Sequence, residues 1–163
     1  MISCPSPSSS HVNIRKQVVK AAKIHFLDSG LVCFLVGIRE PEQLRLHPLR
    51  GAIFESRVVS EIYKSFAHQG LRPRLYHCRE SRGAEIDLIV ERDGGLDAAE
   101  VKSGATVSRD FFNNLKIFSN RMGRDGRARS VRSLVVYGGN ESQKRTAAQV
   151  LSWQDLDPLV EGL

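Results

Sequence analysis

The sequence predicts a mixed α/β fold, a central sheet with helices packed against it. Three observations carry that expectation. Apolar residues recur at helical spacing over residues 52–68. Two strand-like runs flank Asp93-Gly94-Gly95, a strong hairpin signal. A second helical pattern after Ser108 leads into the apolar run Leu134-Val135-Val136. From residue 51 to 137 the predicted order is α-β-β-β-α-β.

Each element has its own local reason. Residues 1–12 are rich in Ser and Pro and are expected to be disordered or loosely docked. Residues 13–22 read as a short basic segment around Arg15, Lys16 and Lys20. Residues 23–28 look strand-like. Asp28-Ser29-Gly30 then opens a short apolar helix over 31–36, ending near Gly37. Residues 40–50, with Pro41 and Pro48, read as a polar connection.

The helix over 52–68 places Ile53, Phe54, Val58, Ile62 and Phe66 on one face, and Gly70 stops it. Residues 74–79 form a strand. The hairpin pairs 84–91 with 98–102. Ser108 caps a helix carrying Phe111, Phe112, Leu115 and Phe118. A buried strand over 130–137 stops at Gly138-Gly139, and residues 145–153 suit either a strand or a helix. This organisation divides the chain into an N-terminal linker with a short helical or strand segment (1–50), a core (51–140) and a C-terminal tail (141–163).

Composition narrows the class. A chain of 163 residues with 41% hydrophobic content supports one packed domain. Aromatics at 7% are too few for a large base-stacking platform. A net charge of +6 favours an anionic partner, nucleic acid first, although a merely basic protein has the same balance. Cys4, Cys33 and Cys78 are odd in number and far apart, which argues against a disulfide framework or a zinc site. The longest apolar run, residues 31–38, is far short of the ~20 residues that cross a bilayer. The first residues lack a secretory pattern, so the expected location is cytoplasmic and no membrane is expected as a partner.

The hairpin holds the chemistry. Glu100 and Lys102 are two residues apart and share a strand face, and Asp87 lies on the partner strand. All three are expected on one side. Paired carboxylates bind a hard cation through oxygen, and such a cation assists phosphodiester cleavage. Lysine can hold water or stabilise developing charge. The competing reading is a solvated, salt-bridged hairpin. If Asp87 is a ligand, Asp87→Ala is expected not to destabilise the metal-free protein, because it relieves repulsion.

Other residues attach to this site. Glu55 sits in an apolar helical face, where it either approaches the carboxylates or pairs with an arginine. Glu85 is a spare carboxylate at the strand start. Arg79 and Arg82 precede the hairpin and can flank the site. Lys116, Arg121, Arg124, Arg127, Arg129 and Arg132 surround Gly123 and Gly126, which reads as a positive loop for phosphates or a solvated loop. The histidines show no metal-ligand spacing.

The element order together with Asp87, Glu100-Val101-Lys102 and Glu55 resembles the PD-(D/E)XK nuclease superfamily. Its core is αβββαβ, with an acidic residue on the second strand and Glu-x-Lys on the third. Residues 23–31, then His47-Pro48-Leu49-Arg50-Gly51-Ala52-Ile53-Phe54-Glu55, then Arg79-Glu80 through Glu85-Ile86-Asp87, narrow it. They resemble the nuclease-like C-terminal domain of unknown function in prokaryotic AAA-type ATPases. The likeness covers roughly residues 13–153.

That resemblance implies a PD-(D/E)XK core with a mixed sheet flanked by helices. It implies Asp87 and Glu100 as ligands of Mg²⁺ or Mn²⁺, Glu55 assisting, and Lys102 serving the nucleophile. It implies DNA ahead of RNA as substrate, and an ATPase or other protein as a possible partner. The phosphate-binding loop of the ATPase module, Gly-x-x-x-x-Gly-Lys-Ser/Thr, does not occur in this sequence, so no ATPase activity is expected. The alternative is a non-catalytic module that binds nucleic acid or protein.

Overall fold

The computed structural model describes residues 23–79, 85–124 (backbone only at 123 and 124) and 130–161. The expected N-terminal Ser/Pro-rich and basic segments lie outside the described residues. The chain runs through α1 (Ser29–Leu35), α2 (Pro41–Leu46), α3 (Arg50–His68), β1 (Leu75–Arg79), β2 (Glu85–Arg92), β3 (Gly95–Lys102), α4 (Asn113–Arg124), β4 (Ser130–Tyr137), β5 (Gln143–Lys144) and β6 (Gln149–Ser152). The predicted α-β-β-β-α-β order is α3 through β4.

The strands form one mixed sheet in the order β1-β2-β3-β4-β6-β5. The β1–β2 and β2–β3 pairs are antiparallel. β4 runs parallel to both β3 and β6, and β5 returns antiparallel. Helices cover both faces, so the central strands read as apolar runs. Leu134 and Val136 pack with Val58, Ile62 and Phe66 of α3. Val135, between them, packs on the other side with Phe112, Leu115 and Phe118. Strand alternation thus feeds two cores from one strand.

The turn chemistry behaved as read. Gly94 has a φ of 85°, a left-handed conformation that glycine adopts at little cost. Gly95 belongs to the strand instead. A Cβ there would lie 2.6 Å from Ser130 Oγ, so the missing side chain lets β3 and β4 meet. β3 therefore starts earlier than residue 98. Ser108 accepts the amide hydrogen of Asp110 and caps a 3-10 turn (Arg109–Phe112) that runs into α4.

Three expectations need correction. Residues 23–28 are not a strand; Lys23 alone makes a ladder bridge. Alternation there buries no face, since Ile24 and Phe26 are both exposed. The polar connection contains a helix, α2, because Pro41 suits a first helical turn and Gln43 accepts from the amides of Arg39 and Glu40. The C-terminal tail belongs to the sheet. β6 pairs with β4, and Val150, Leu151 and Leu159 are fully buried.

The N-terminal linker region keeps an unusual surface. α1 is almost wholly apolar, yet none of its residues is buried. Phe34, Leu35 and, on α2, Leu46 are exposed. No helix among the described residues is long and apolar enough to cross a membrane.

Candidate active site

The site lies where β2 and β3 leave the sheet beside the N-terminal half of α3. β2–β3 pairing is regular from Arg92–Gly95 to Leu88–Ala99. On the other side of β2, the register with β1 shifts between Tyr76 and Cys78. Asp87 sits in this irregular stretch. Its Oδ2 accepts the Val101 amide hydrogen at 2.9 Å. It also lies 3.4 Å from Lys102 Nζ.

Glu100 is 2% exposed. Its Oε2 is 2.5 Å from Lys102 Nζ, and its Oε1 accepts from Asn114 Nδ2 on α4 at 3.1 Å. Lys102 thus bridges Asp87 and Glu100. Glu100 is held from the α4 side, whereas Asp87 connects, through Lys23, to α3. The site straddles the end of the sheet.

Glu55 enters from α3. Its Oε1 is 2.6 Å from Lys23 Nζ and 3.9 Å from His25 Nε2. Lys23 is also 3.3 Å from Glu85 Oε1 and 3.8 Å from Asp87 Oδ1. The Glu55 partner is therefore a lysine rather than an arginine. Glu55 Oε1 is a buried oxygen whose close partner is the Lys23 ammonium. His25 Nδ1 is 3.3 Å from Ser56 Oγ.

Electrostatics follow from crowding carboxylates in a half-dry space. Burial pushes the Glu100 carboxyl above its usual range, and the Asp87 charge adds to this against the pull of Lys102 and Asn114. Burial likewise raises Glu55, with Lys23 pulling back and Asp87 adding to the rise. For Lys102, burial opposes the charge, but Asp87 and Glu100 outweigh it and hold the ammonium above the ordinary lysine value. Lys23 is raised in the same way, burial being outweighed by Glu55, Asp87 and Glu85. Burial lowers His25, and Lys23 lowers it further.

The donor set is chemically suited to a hard divalent cation, since every candidate ligand is a carboxylate oxygen. Among the described residues, no three His, Cys, Asp or Glu side chains converge closely enough to hold a metal as they stand. Two ammonium groups lie among the carboxylates instead.

The structure brings together Glu55, Asp87, Glu100 and Lys102. The basic residues are elsewhere or differently engaged. Arg79 is exposed and faces Glu85 at 3.9 Å. Lys116 is exposed on α4. Arg121 is partly buried and has interactions of its own. Arg82, Arg127, Arg129 and the Arg124 side chain lie outside the described residues. Arg132 is not a free phosphate contact, because its guanidinium bonds Asp97 at 2.8 and 2.6 Å.

Sequence reasoning missed Lys23, Asn114 and the Val101 amide. Nothing in Lys23-Ile24-His25 marks a lysine that reaches the hairpin. Asn114 did leave a trace, as a polar residue between Phe112 and Leu115.

Relatives of the chain share its sequence without explaining it. An uncharacterized protein of Mycobacterium bovis and one of Mycobacterium tuberculosis are each 33% identical over 96 residues, 59% of this chain and 21% of theirs. The chain spans about a fifth of the length of these curated relatives. No solved structure matches it. Residues 50–156 match a family described as a domain of unknown function, DUF4143. The span covers α3, both cores and β6, and so the chain belongs to the DUF4143 family.

Proposed function

We propose that this domain is a metal-dependent nuclease-like unit of the PD-(D/E)XK kind that acts on DNA. The observation that carries this reading is Lys102, whose ammonium bridges Asp87 and Glu100 at the open end of the sheet. Asp87 and Glu100 would hold Mg²⁺ or Mn²⁺, with Glu55 as a further oxygen donor. A bound cation of this kind supplies charge neutralisation and an activated water.

The chain's own residues do the rest. Asn114 orients the Glu100 carboxylate, and the Val101 amide orients Asp87, leaving Oδ1 of Asp87 toward Lys23. Lys102, anchored in β3, places a positive charge where a scissile phosphate gains negative charge. The net charge of +6 draws a polyanion to the domain.

The test incubates purified protein with linear, circular, single-stranded and branched DNA, with Mg²⁺ or Mn²⁺, beside folded Lys102→Ala. Metal-dependent cleavage, lost in the variant, is expected. A folded wild-type protein that cleaves none of these with either metal overturns the reading.

A second reading rests on the apolar surface of α1 and α2. Phe34, Leu35 and Leu46 suit a docking face for an ATPase or other protein partner. The much greater length of the curated relatives leaves room for such a domain. In this reading, Leu35→Asp with Leu46→Asp abolishes partner binding, while Asp87→Asn leaves it intact, as measured by co-purification with a candidate ATPase.

A further inference from the structure

We propose that Lys23 is a built-in counter-cation that occupies the carboxylate cluster and must leave it before a divalent cation enters. The inference rests on the metal-site reading above and adds a residue that competes for that site.

The geometry is that of a cation among its ligands. Lys23 Nζ lies 2.6 Å from Glu55, 3.3 Å from Glu85 and 3.8 Å from Asp87. These carboxylates come from α3 and from the start of β2. One ammonium therefore gathers acidic groups from separate elements. Without it, like charges would face one another across a small, partly dry space.

Lys23 and Lys102 have different roles. Oδ2 of Asp87 is committed to the Val101 amide and to Lys102. Oδ1 is the oxygen open to another cation, and it faces Lys23. Mg²⁺ binds oxygen at ~2.0–2.1 Å. An ion that close to both Asp87 Oδ1 and Glu55 Oε1 would take up the volume of the ammonium. Lys102 is fixed in a central strand, whereas Lys23 precedes a non-strand stretch in which Ile24, Phe26 and Leu27 are exposed and His25 alone is packed, against Ser56. The Lys23 side chain can swing away while its backbone bridge stays in place.

Two consequences follow. The cation must displace a favourable ion pair, so its affinity is lowered by the lysine. By reciprocity, cation entry weakens the hold on Lys23, while its backbone bridge and the His25–Ser56 contact keep the segment docked.

The experiment measures Mn²⁺ binding by calorimetry in wild-type protein, Lys23→Met and Lys23→Arg. Lys23→Met is expected to bind Mn²⁺ about fivefold or more tightly than wild type, within the usual range of coupling between sites. Lys23→Arg, which keeps the charge, should stay near wild type. Equal or weaker binding in Lys23→Met overturns the proposal, and wild-type binding then leaves the metal site itself standing. Absence of Mn²⁺ binding in all three proteins overturns both.

A second measurement needs no variant. Amine-reactive labelling of wild-type protein, read by mass spectrometry, should show Lys23 becoming more reactive when Mn²⁺ is added. Unchanged labelling of Lys23 in Mn²⁺-loaded protein overturns the proposal.

Discussion

The carboxylate of Asp87 accepts the amide hydrogen of Val101 at 2.9 Å, so a side chain of β2 continues the hairpin where regular pairing stops at Leu88–Ala99. Asp87 therefore has a structural duty beside its proposed one. The sequence-based expectation that Asp87→Ala is harmless without metal does not account for this bond. Removing the acceptor strands a buried amide, at about 1–3 kcal/mol. Asp87→Asn keeps an oxygen there and should lose less. Urea unfolding of both variants in metal-free buffer checks the difference. Equal stability of Asp87→Ala and wild type would show that water replaces the bond.

Glu100 should make stability fall as pH rises. Its carboxyl is raised above the ordinary glutamate value of 4.5 by burial and by Asp87, so the folded chain holds the proton more tightly than the unfolded one. Its contribution is full below the unfolded value and is lost as pH climbs through the folded value. Glu55 is raised too and acts with the same sign. Thermal melts of Glu100→Gln are expected to show a shallower decline than wild type above pH ~4.5. Parallel curves for the two proteins would contradict the raised carboxyl.

Gly138 is a steric requirement of the site rather than only a strand terminator. A Cβ there would lie 2.5 Å from Ser103 O, in the chain that leaves Lys102. The Gly138 amide also donates to Lys102 O at 3.0 Å, and Arg50 Nη2 holds Ser103 O at 2.7 Å. Gly138→Ala must push this junction apart, with an expected cost of about 1–3 kcal/mol. Denaturant unfolding gives the cost. The cleavage proposed above should fall in the folded variant by more than the stability change explains.

Asp97 fastens the last turn of the chain to the sheet. It is 2% exposed and is held by Arg92 and Arg132, while Arg92 also donates to Pro158 O at 2.8 Å. Asp97→Ala leaves guanidinium charge uncompensated near a buried surface, and about 3–5 kcal/mol of stability should go with it. Chemical denaturation measures the loss. The DNA binding proposed above should be unaffected, since Asp97 lies five residues before Lys102 on β3.

Most of the fold was legible because its signals are local. The α3 periodicity, the Asp93-Gly94 turn and the Ser108 cap each act within a few residues. Asp87, Glu100 and Lys102 were legible because a hairpin fixes which residues meet. Lys23 was not, because its contacts with Glu55 and Glu85 depend on how a non-strand segment crosses the finished sheet. β6 was ambiguous for a related reason. Val150 and Leu151 suit either period, and only the free edge of β4 decides for a strand. The engagement of Arg132 by Asp97 lies across the β3–β4 pair, which no short motif encodes.

The position of β6 between β4 and β5 sets the order in which the molecule can be completed during synthesis. β4 is made before the strand that will cover its outer edge. A chain cut before residue 149 would therefore carry Leu134, Val135 and Val136 on an open edge. Such an edge is a template for edge-to-edge pairing until residues 149–152 close it.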